Sequence, residues 1–364
     1  MLVSKKLVAG AVLSMLLSSS ALAADDAPLN ASERAAIVQT LVAKMNANYI
    51  EPAVAERVGR AIANKNAKGG YASAVGTNSL SEALAKDLRE LSGDKHFGAR
   101  VFEGFSDSNG AAEPLSRAQI DDWREQIERR GYGIQKIERL PGNVGYIELR
   151  NFGSPEFVAP AYTAAMSLMV GTDALILDLR RNGGGSPMSV AYLMSHFFPV
   201  GDHRHLIDMY NRPENKTQQY WTVPTVGQRY DKPVYVLTSA RTFSGGEDFA
   251  YGIQAHKRGT VVGEVTGGGS NPVGWFSLGH DIAVAIPTSR TTNVVTKTNW
   301  EHVGVKPDIA APAAQALQMA HATILRNLVA SAKEDKGRTE LQRLLAMVEK
   351  GEAEQPVYIL RGER

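Results

Sequence analysis

The sequence predicts an α/β fold that follows a small three-helix domain. Two observations carry this prediction. Within residues 28–92, apolar side chains recur at the four-residue spacing of helices that pack one face inward. From residue 144 onward, short apolar strand-like runs alternate with helical segments. Such alternation is typical of proteins that layer helices on a sheet.

Three helices are expected in the N-terminal region. The first is stopped by Pro52 and carries apolar residues four positions apart, namely Ile37, Leu41, Met45 and Tyr49. The second continues the pattern through Val54, Val58 and Ile62. We expect the third to open at a capping box of Ser79 and Glu82, because a hydroxyl and a carboxylate three residues apart can bind free helix amides.

The rest of the chain is predicted to hold the α/β core. Residues 93–130 are mixed and polar, with an exposed loop expected over 106–110. Strands are expected at 144–149, 174–179, 234–237, 260–262 and 282–286, with polar hairpin strands inside 200–231. Helices are expected at 155–169, 187–197, directly after Ser244, and at 317–329 and 341–348. The predicted domain boundaries are 24–92 for the helical bundle, 93–335 for the core, and 336–364 for a C-terminal helix and tail.

Residues 1–23 have the composition of a secretory signal peptide. A positive start at Lys5 and Lys6 precedes an apolar run, and Ala21-Leu22-Ala23 fits a cleavage site. The apolar run is too short to cross a bilayer, so no stable membrane insertion is expected. The sequence therefore predicts a periplasmic or secreted protein.

Composition excludes several function classes. The chain has no cysteine, which excludes disulfides, a thiol nucleophile and cysteine-bound zinc. The formal net charge is +2, and no basic stripe is interleaved with aromatic residues, so nucleic acid is not expected as a partner. No cofactor is predicted, and the oligomeric state does not follow from the sequence.

Ser244 lies where a predicted strand turns into a helix, followed by Gly245 and Gly246. A serine in such a turn can present its hydroxyl beside the free amides of the helix N-terminus, which is what acyl chemistry needs. Serine is also a common N-cap residue. The turn alone leaves both interpretations open.

Two glycine triplets lie near the predicted strand ends. Gly183-Gly184-Gly185 follows a strand, but it matches neither nucleotide-binding glycine pattern. Presenting backbone amides to a developing oxyanion is a further use, and a tight turn is the structural alternative. The second triplet, Gly267-Gly268-Gly269, either lines the same cleft or lets a loop cross it.

A serine nucleophile needs a base, and the residues alone do not decide which one. Lys257 sits in a polar run typical of a solvated helix end. His203 and His205 would share one face of a strand, but the sequence nominates no third ligand, so no metal site is predicted. His96 stands in a glycine-bounded turn just after the helical region.

Taken in order, these segments resemble the S41 serine peptidases. That family includes the tail-specific (C-terminal processing) proteases, the tricorn core protease and the interphotoreceptor retinoid-binding protein modules. The resemblance rests on five motifs: Gly93-Asp-Lys-His-Phe-Gly98, Leu177-Asp-Leu-Arg-Arg-Asn-Gly-Gly-Gly185, Thr242-Phe-Ser-Gly-Gly-Glu-Asp-Phe-Ala-Tyr251, Val262-Gly-Glu-Val-Thr-Gly-Gly-Gly269 and Trp300-Glu-His-Val-Gly-Val-Lys-Pro-Asp308. It implies a crotonase/ClpP-like ββα-spiral core.

The resemblance also implies roles for single residues. Tail-specific proteases pair their serine with a lysine after the next strand, but residues 264–270 hold none. The tricorn-like branch uses a histidine and a glutamate instead, at positions that His96 and Glu301 match. The implied oxyanion donors are amides of Gly183, Gly184 and Gly245, and Gly267 and Gly268 would contact substrate.

The sequence therefore predicts an exported serine endopeptidase that cleaves peptides or unfolded proteins through an acyl-enzyme on Ser244. In this scheme His96 is the base and Glu301 the supporting carboxylate. No PDZ-like insertion is evident in 99–143, which weakens any expected specificity for protein C-termini. The alternative function is a binding module for an apolar ligand or a peptide. A serine esterase is a weaker alternative, because Ser244 lacks the preceding glycine of the hydrolase elbow.

Overall fold

The computed structural model describes residues 26–107 and 116–352. The predicted signal peptide, part of the predicted 106–110 loop and residues 355–364 lie outside these ranges. The helices are α1 (Ala31–Asn48), α2 (Pro52–Ala67), α3 (Thr77–Ser92), α4 (Arg117–Arg129), α5 (Pro155–Met169), α6 (Pro187–Ser195), α7 (Gly245–Ala255), α8 (Ala316–Ser331) and α9 (Asp335–Glu349). The strands are β1 (Gly98–Val101), β2 (Ile134–Leu140), β3 (Val144–Leu149), β4 (Ala174–Asp178), β5 (His205–Asn211), β6 (Lys216–Trp221), β7 (Val234–Thr238), β8 (Thr260–Gly263), β9 (Val273–Gly279), β10 (Ile282–Pro287), β11 (Ser289–Asn293) and β12 (Ile309–Ala310).

A six-stranded sheet forms the centre of the α/β core, in the order β12-β8-β7-β4-β3-β2. All neighbours are parallel except β2, which runs antiparallel to β3 at one edge. Helices α5, α6 and α7 share a core with one face, and α8 packs on the other. Every residue of β4 and β7 is buried. This burial on two faces explains why those strands are continuous apolar runs.

The N-terminal helices do not pack on one another alone. Helices α1, α2 and α3 share a hydrophobic core with the antiparallel sheet β1-β10-β9, including Leu41, Leu84, Phe97 and Val284. Strands β9 and β10 come from far along the chain. The α/β class with three N-terminal helices is confirmed, whereas the predicted boundary at residue 92 stays a prediction.

The start of α3 differs from the predicted capping box. The helix begins at Thr77 and its N-cap is Gly76. Ser79 is the third helical residue, and its hydroxyl accepts a hydrogen bond from the Gly76 amide at 3.0 Å. The predicted pairing of Ser79 with Glu82 is therefore wrong, because Ser79 lies inside the first turn rather than before it.

Helix α4 and strands β1, β2, β9, β11 and β12 were not predicted as elements. Only one residue of α4 is buried, Ile127, so its apolar periodicity is weak. A sequence signal for α4 exists: Ser116 and Gln119 form a reciprocal capping box.

The remaining sheet has the order β11-β5-β6, and α9 packs on α8. Among the described residues, no helix combines the length and apolarity that crossing a membrane requires.

Candidate active site

Ser244 occupies a strained turn between β7 and α7. Its φ is 51° and its ψ is −118°, a conformation that side-chain-bearing residues rarely adopt. Its side chain makes no capping hydrogen bond to the helix. The N-cap interpretation therefore does not explain why a serine stands here. Its half-buried side chain lies at the start of α7 without capping the helix.

The turn is fixed by Glu247, whose side chain is fully buried. One carboxylate oxygen accepts hydrogen bonds from the Thr266 hydroxyl at 2.5 Å and the Gly268 amide at 2.6 Å. The other accepts from the amides of Ser244 at 2.8 Å and Gly269 at 2.9 Å. Burial raises the pKa of Glu247, and these donors act in the opposite direction. Glu247 thus ties Ser244 to the second glycine triplet.

The first glycine triplet packs against Ser244. A Cβ on Gly184 would lie 2.7 Å from the Ser244 Cβ and 2.9 Å from the Gly245 nitrogen. The φ of Gly184 is +101°, so glycine meets both the steric and the backbone requirement at this position. The buried Asn182 fixes the loop that carries this triplet, because its side chain donates a hydrogen bond to the Leu149 carbonyl at 3.0 Å.

The predicted oxyanion donors are not all free. The Gly183 amide donates to the Arg150 carbonyl at 3.1 Å, and the Gly184 amide donates to the Asn182 side chain at 2.8 Å. In the described part of the chain, the amides of Gly185 and Gly245 have no hydrogen-bond acceptor. Of the three donors that the resemblance implies, Gly245 is the one whose amide is free among the described residues. The amide of Gly185, a member of the triplet that the sequence offered as an oxyanion site, is free as well.

The second triplet packs against Phe243 and His96. A Cβ on Gly269 would fall 2.3 Å from the Phe243 ring and 2.7 Å from Cε1 of His96. The Gly267 amide donates to the Thr242 carbonyl at 2.9 Å, and the Gly268 amide is bound by Glu247. The triplet therefore lines the same region as Ser244, with the predicted substrate amides of Gly267 and Gly268 engaged inside the protein.

His96 lies between α3 and β1, and its ring packs on Phe243, the residue before Ser244, with 4.6 Å between ring centroids. Both ring nitrogens are buried and have no hydrogen-bond partner among the described residues. Burial lowers the pKa of His96 to about 4. The imidazole is therefore neutral near pH 7 and able to accept a proton.

Two carboxylates stand beside His96. Glu301 accepts hydrogen bonds at one oxygen from the amides of Ser270 at 2.5 Å and Asn271 at 3.1 Å. Its other oxygen, Oε1, is buried without a hydrogen-bond partner in the described chain. Asp94 is fully buried, and its Oδ1 lies 3.8 Å from Nδ1 of His96.

Both carboxylates have a raised proton affinity. Burial, and then the charge of Asp94, raise the pKa of Glu301 to about 7. Burial likewise raises the pKa of Asp94 above its usual range. One potential ligand atom from each of Asp94, His96 and Glu301 lies within 4.8 Å of the other two. The sequence did not nominate Asp94, although it stands only two residues before His96.

The remaining base candidates lie outside this cluster. Lys257 is exposed after the end of α7. Strand β5 begins at His205, so His203 precedes the strand and the expected shared strand face does not form. His205 stacks on Trp221 at 4.4 Å and pairs with Asp208 at 2.9 Å.

Family profiles agree with the motif order. The profile of peptidase family S41 matches residues 143–311, and that of the N-terminal domain of Peptidase_S41 in eukaryotic IRBP matches residues 23–126. The chain belongs to peptidase family S41. The first match covers both glycine triplets and Ser244, and the second covers His96.

Individual S41 relatives are distant. The carboxyl-terminal-processing protease of Synechocystis sp. is 28% identical over 168 residues, which cover 46% of this chain and 38% of that protein. The chain thus spans about two fifths of the length of the curated relatives it matches.

Solved structures show the fold. A putative peptidase from Parabacteroides merdae superposes with a TM-score of 0.56 at 20% identity, covering 83% of this chain and 98% of that one. The tricorn protease gives a TM-score of 0.50 at 14% identity, covering 88% of this chain and 37% of that one.

Proposed function

We propose that this chain is an exported serine peptidase in which Ser244 forms an acyl-enzyme with peptides or unfolded proteins. The observation that carries the proposal is the backbone of Ser244, a strained non-glycine turn held in place by a fully buried glutamate. Strain of this kind persists only where the surrounding structure enforces it, and it concentrates at functional sites. A structural turn would need neither the strain nor the side chain.

In the proposed reaction the Ser244 hydroxyl attacks the carbonyl carbon and His96 takes its proton. The developing oxyanion would accept hydrogen bonds from the free amides of Gly245 and Gly185. His96 then gives the proton to the leaving amine, and water hydrolyses the ester by the same path. Ionised Glu301 would stabilise the imidazolium that forms between these steps.

The packing of the Gly269 loop favours histidine over lysine as the base. A side chain at position 269 would begin only 2.7 Å from the His96 ring. A lysine at position 269 and the present position of His96 therefore exclude each other. Lys95, the neighbouring cation, is turned to the loop, where it donates to the Gly267 carbonyl at 2.5 Å.

Export is the second part of the proposal. It is supported by the charged start, the apolar run and the small-residue site within residues 1–23. Fractionation of cells that express the full chain, followed by N-terminal sequencing of the mature form, tests it. A mature N-terminus at Ala24 in the exported fraction is expected, and an uncleaved cytoplasmic chain would contradict it.

Labelling with a fluorophosphonate probe tests the catalytic proposal. Wild type should be modified once, at Ser244, and should hydrolyse an unfolded protein substrate. Ser244→Ala should lose both, by several orders of magnitude in rate, while its thermal melting stays close to wild type because the side chain makes no cap. A wild-type chain that is neither labelled nor active on any unfolded substrate would instead support a binding module.

A further inference from the structure

The cluster of Asp94, His96 and Glu301 has unused ligand capacity. Both nitrogens of His96 and Oε1 of Glu301 are buried and without hydrogen-bond partners in the described chain. The side chains of His96 and Glu301 are each only 10% exposed. Unpartnered buried polar atoms are rare in proteins and often mark a missing ion or water.

No permanently charged cation among the described residues is ion-paired with the two carboxylates of the cluster. Within the described chain, the ion-pair partner of Asp94 is His96 at 3.8 Å, and that of Glu301 is the exposed His302 at 3.7 Å. A bound dication would supply the charge that the protein does not, and relieve the repulsion between the two carboxylates.

We infer that Asp94, His96 and Glu301 form a binding site for zinc or a similar borderline divalent cation. An imidazole nitrogen and two carboxylate oxygens are ligands that zinc accepts, whereas magnesium and calcium prefer oxygen alone. Two ligands on one tetrahedral zinc lie about 3.4 Å apart. The three atoms lie within 4.8 Å of one another, so they would close by no more than about 1.4 Å (4.8 − 3.4).

Zinc at this site would switch the proposed peptidase off, a consequence that rests on the proposed function. Nδ1 of His96 is the nitrogen that lies 3.8 Å from Asp94. A metal on Nδ1 leaves the ring proton on Nε2, since each neutral imidazole has one donor and one acceptor nitrogen. Nε2 then becomes a donor and has no lone pair for the Ser244 proton. The cluster would therefore make catalysis sensitive to free zinc.

Titration of the full-length Ser244→Ala protein with zinc chloride tests the site without self-cleavage or turnover. Calorimetry, or competition with a zinc-responsive chelator, should show one zinc per chain. Asp94→Asn and Glu301→Gln, which keep side-chain size, should each weaken the affinity by at least about tenfold. His280→Ala, which removes an exposed histidine outside the cluster, should change the zinc affinity by less than about twofold. Magnesium chloride should give no binding.

The inference is overturned if zinc does not bind, or if Asp94→Asn and Glu301→Gln bind it as tightly as the parent. Peptide hydrolysis by wild type, with zinc and then with excess EDTA, forms the second arm. Reversible inhibition is expected. Zinc binding at the cluster in a chain that cleaves nothing would keep the site and refute the peptidase. Cleavage by a chain whose cluster binds no zinc would support the peptidase and refute the zinc site.

Discussion

The two halves of the candidate site differ in how completely their polar groups are satisfied. On the Ser244 half, both oxygens of Glu247 are filled by four donors. On the His96 half, one oxygen of Glu301 accepts two hydrogen bonds, whereas its other oxygen and both nitrogens of His96 have no hydrogen-bond partner among the described residues. Each half contains a buried glutamate, yet only one has bonding capacity left.

This difference indicates that Glu247 positions the backbone, whereas Glu301 takes part in the proposed reaction. A buried carboxylate whose lone pairs all accept hydrogen bonds can hold a turn in place, but it has no lone pair left to bind a substrate or a proton. A buried carboxylate with a free oxygen beside a neutral imidazole can stabilise a charge that appears only during reaction. We therefore expect changes at Glu247 to affect folding first and changes at Glu301 to affect turnover first.

Replacing Glu247 should have the largest effect on stability. Glu247→Ala removes the acceptor of three backbone amides and one hydroxyl, and each buried donor left unsatisfied costs about 1–3 kcal/mol. We expect a loss of about 3 kcal/mol or more in the free energy of unfolding, measured by urea denaturation. Unchanged stability would show that the Ser244 half is not held by Glu247.

The two neighbouring glycines of the first triplet offer a matched pair. An alanine at Gly184 would meet the Ser244 Cβ at 2.7 Å and must adopt a φ of +101°, whereas no described residue comes within 4 Å of a Cβ at Gly183. Gly184→Ala should cost about 2–4 kcal/mol and most of the activity. Gly183→Ala should stay within about 0.5 kcal/mol of wild type. Equal stabilities for the two variants would contradict the packing around Ser244.

Glu301→Gln should show the opposite balance to Glu247→Ala. The amide oxygen of glutamine can still accept from Ser270 and Asn271, so the free energy of unfolding should change by less than about 1 kcal/mol. Hydrolysis should fall about 10- to 100-fold, because the imidazolium of His96 loses its supporting charge. Wild-type turnover in this variant would mean that Glu301 only holds the loop.

The pH profile should give the smallest but most specific effect. Because the pKa of Glu301 is raised to about 7, wild-type kcat/KM should rise with pH through that value as the carboxyl group loses its proton. His96, with a pKa lowered to about 4, is already neutral there. In Glu301→Gln the acid limb should therefore move to lower pH, and an unmoved limb would assign it to another group.

The sequence predicted the strands whose ends carry the Ser244 half of the candidate site. Buried apolar strands end at Asp178 and Thr238, and the loops that follow them lie side by side because the strands are paired. It did not predict the role of Glu247, since three of its four donors come from a loop about twenty residues later. Nor could it tell which amides of the triplet Gly183-Gly184-Gly185 are free, because the direction of each glycine amide depends on backbone angles.

The His96 half was predicted through family resemblance rather than from local pattern. His96 lies in the link between α3 and β1, whereas Glu301 lies 205 residues later (301 − 96), and a single sequence gives no signal that the two converge. Asp94 was missed for the same reason: its burial between Tyr49 and Asn271 is a product of tertiary packing. Helix α4 was missed because an exposed helix has little apolar periodicity.

The central claim is that His96 activates Ser244. It is tested most directly by the rate of fluorophosphonate labelling in wild type, His96→Gln and Lys95→Met, with folding checked by thermal melting. Loss of a positioned base should slow labelling of Ser244 by about 100-fold or more in His96→Gln. Lys95→Met, which removes the adjacent cation, should label within about threefold of wild type, since no proton passes through it in this mechanism. Labelling of His96→Gln at the wild-type rate, or an equal loss in Lys95→Met, would contradict the account.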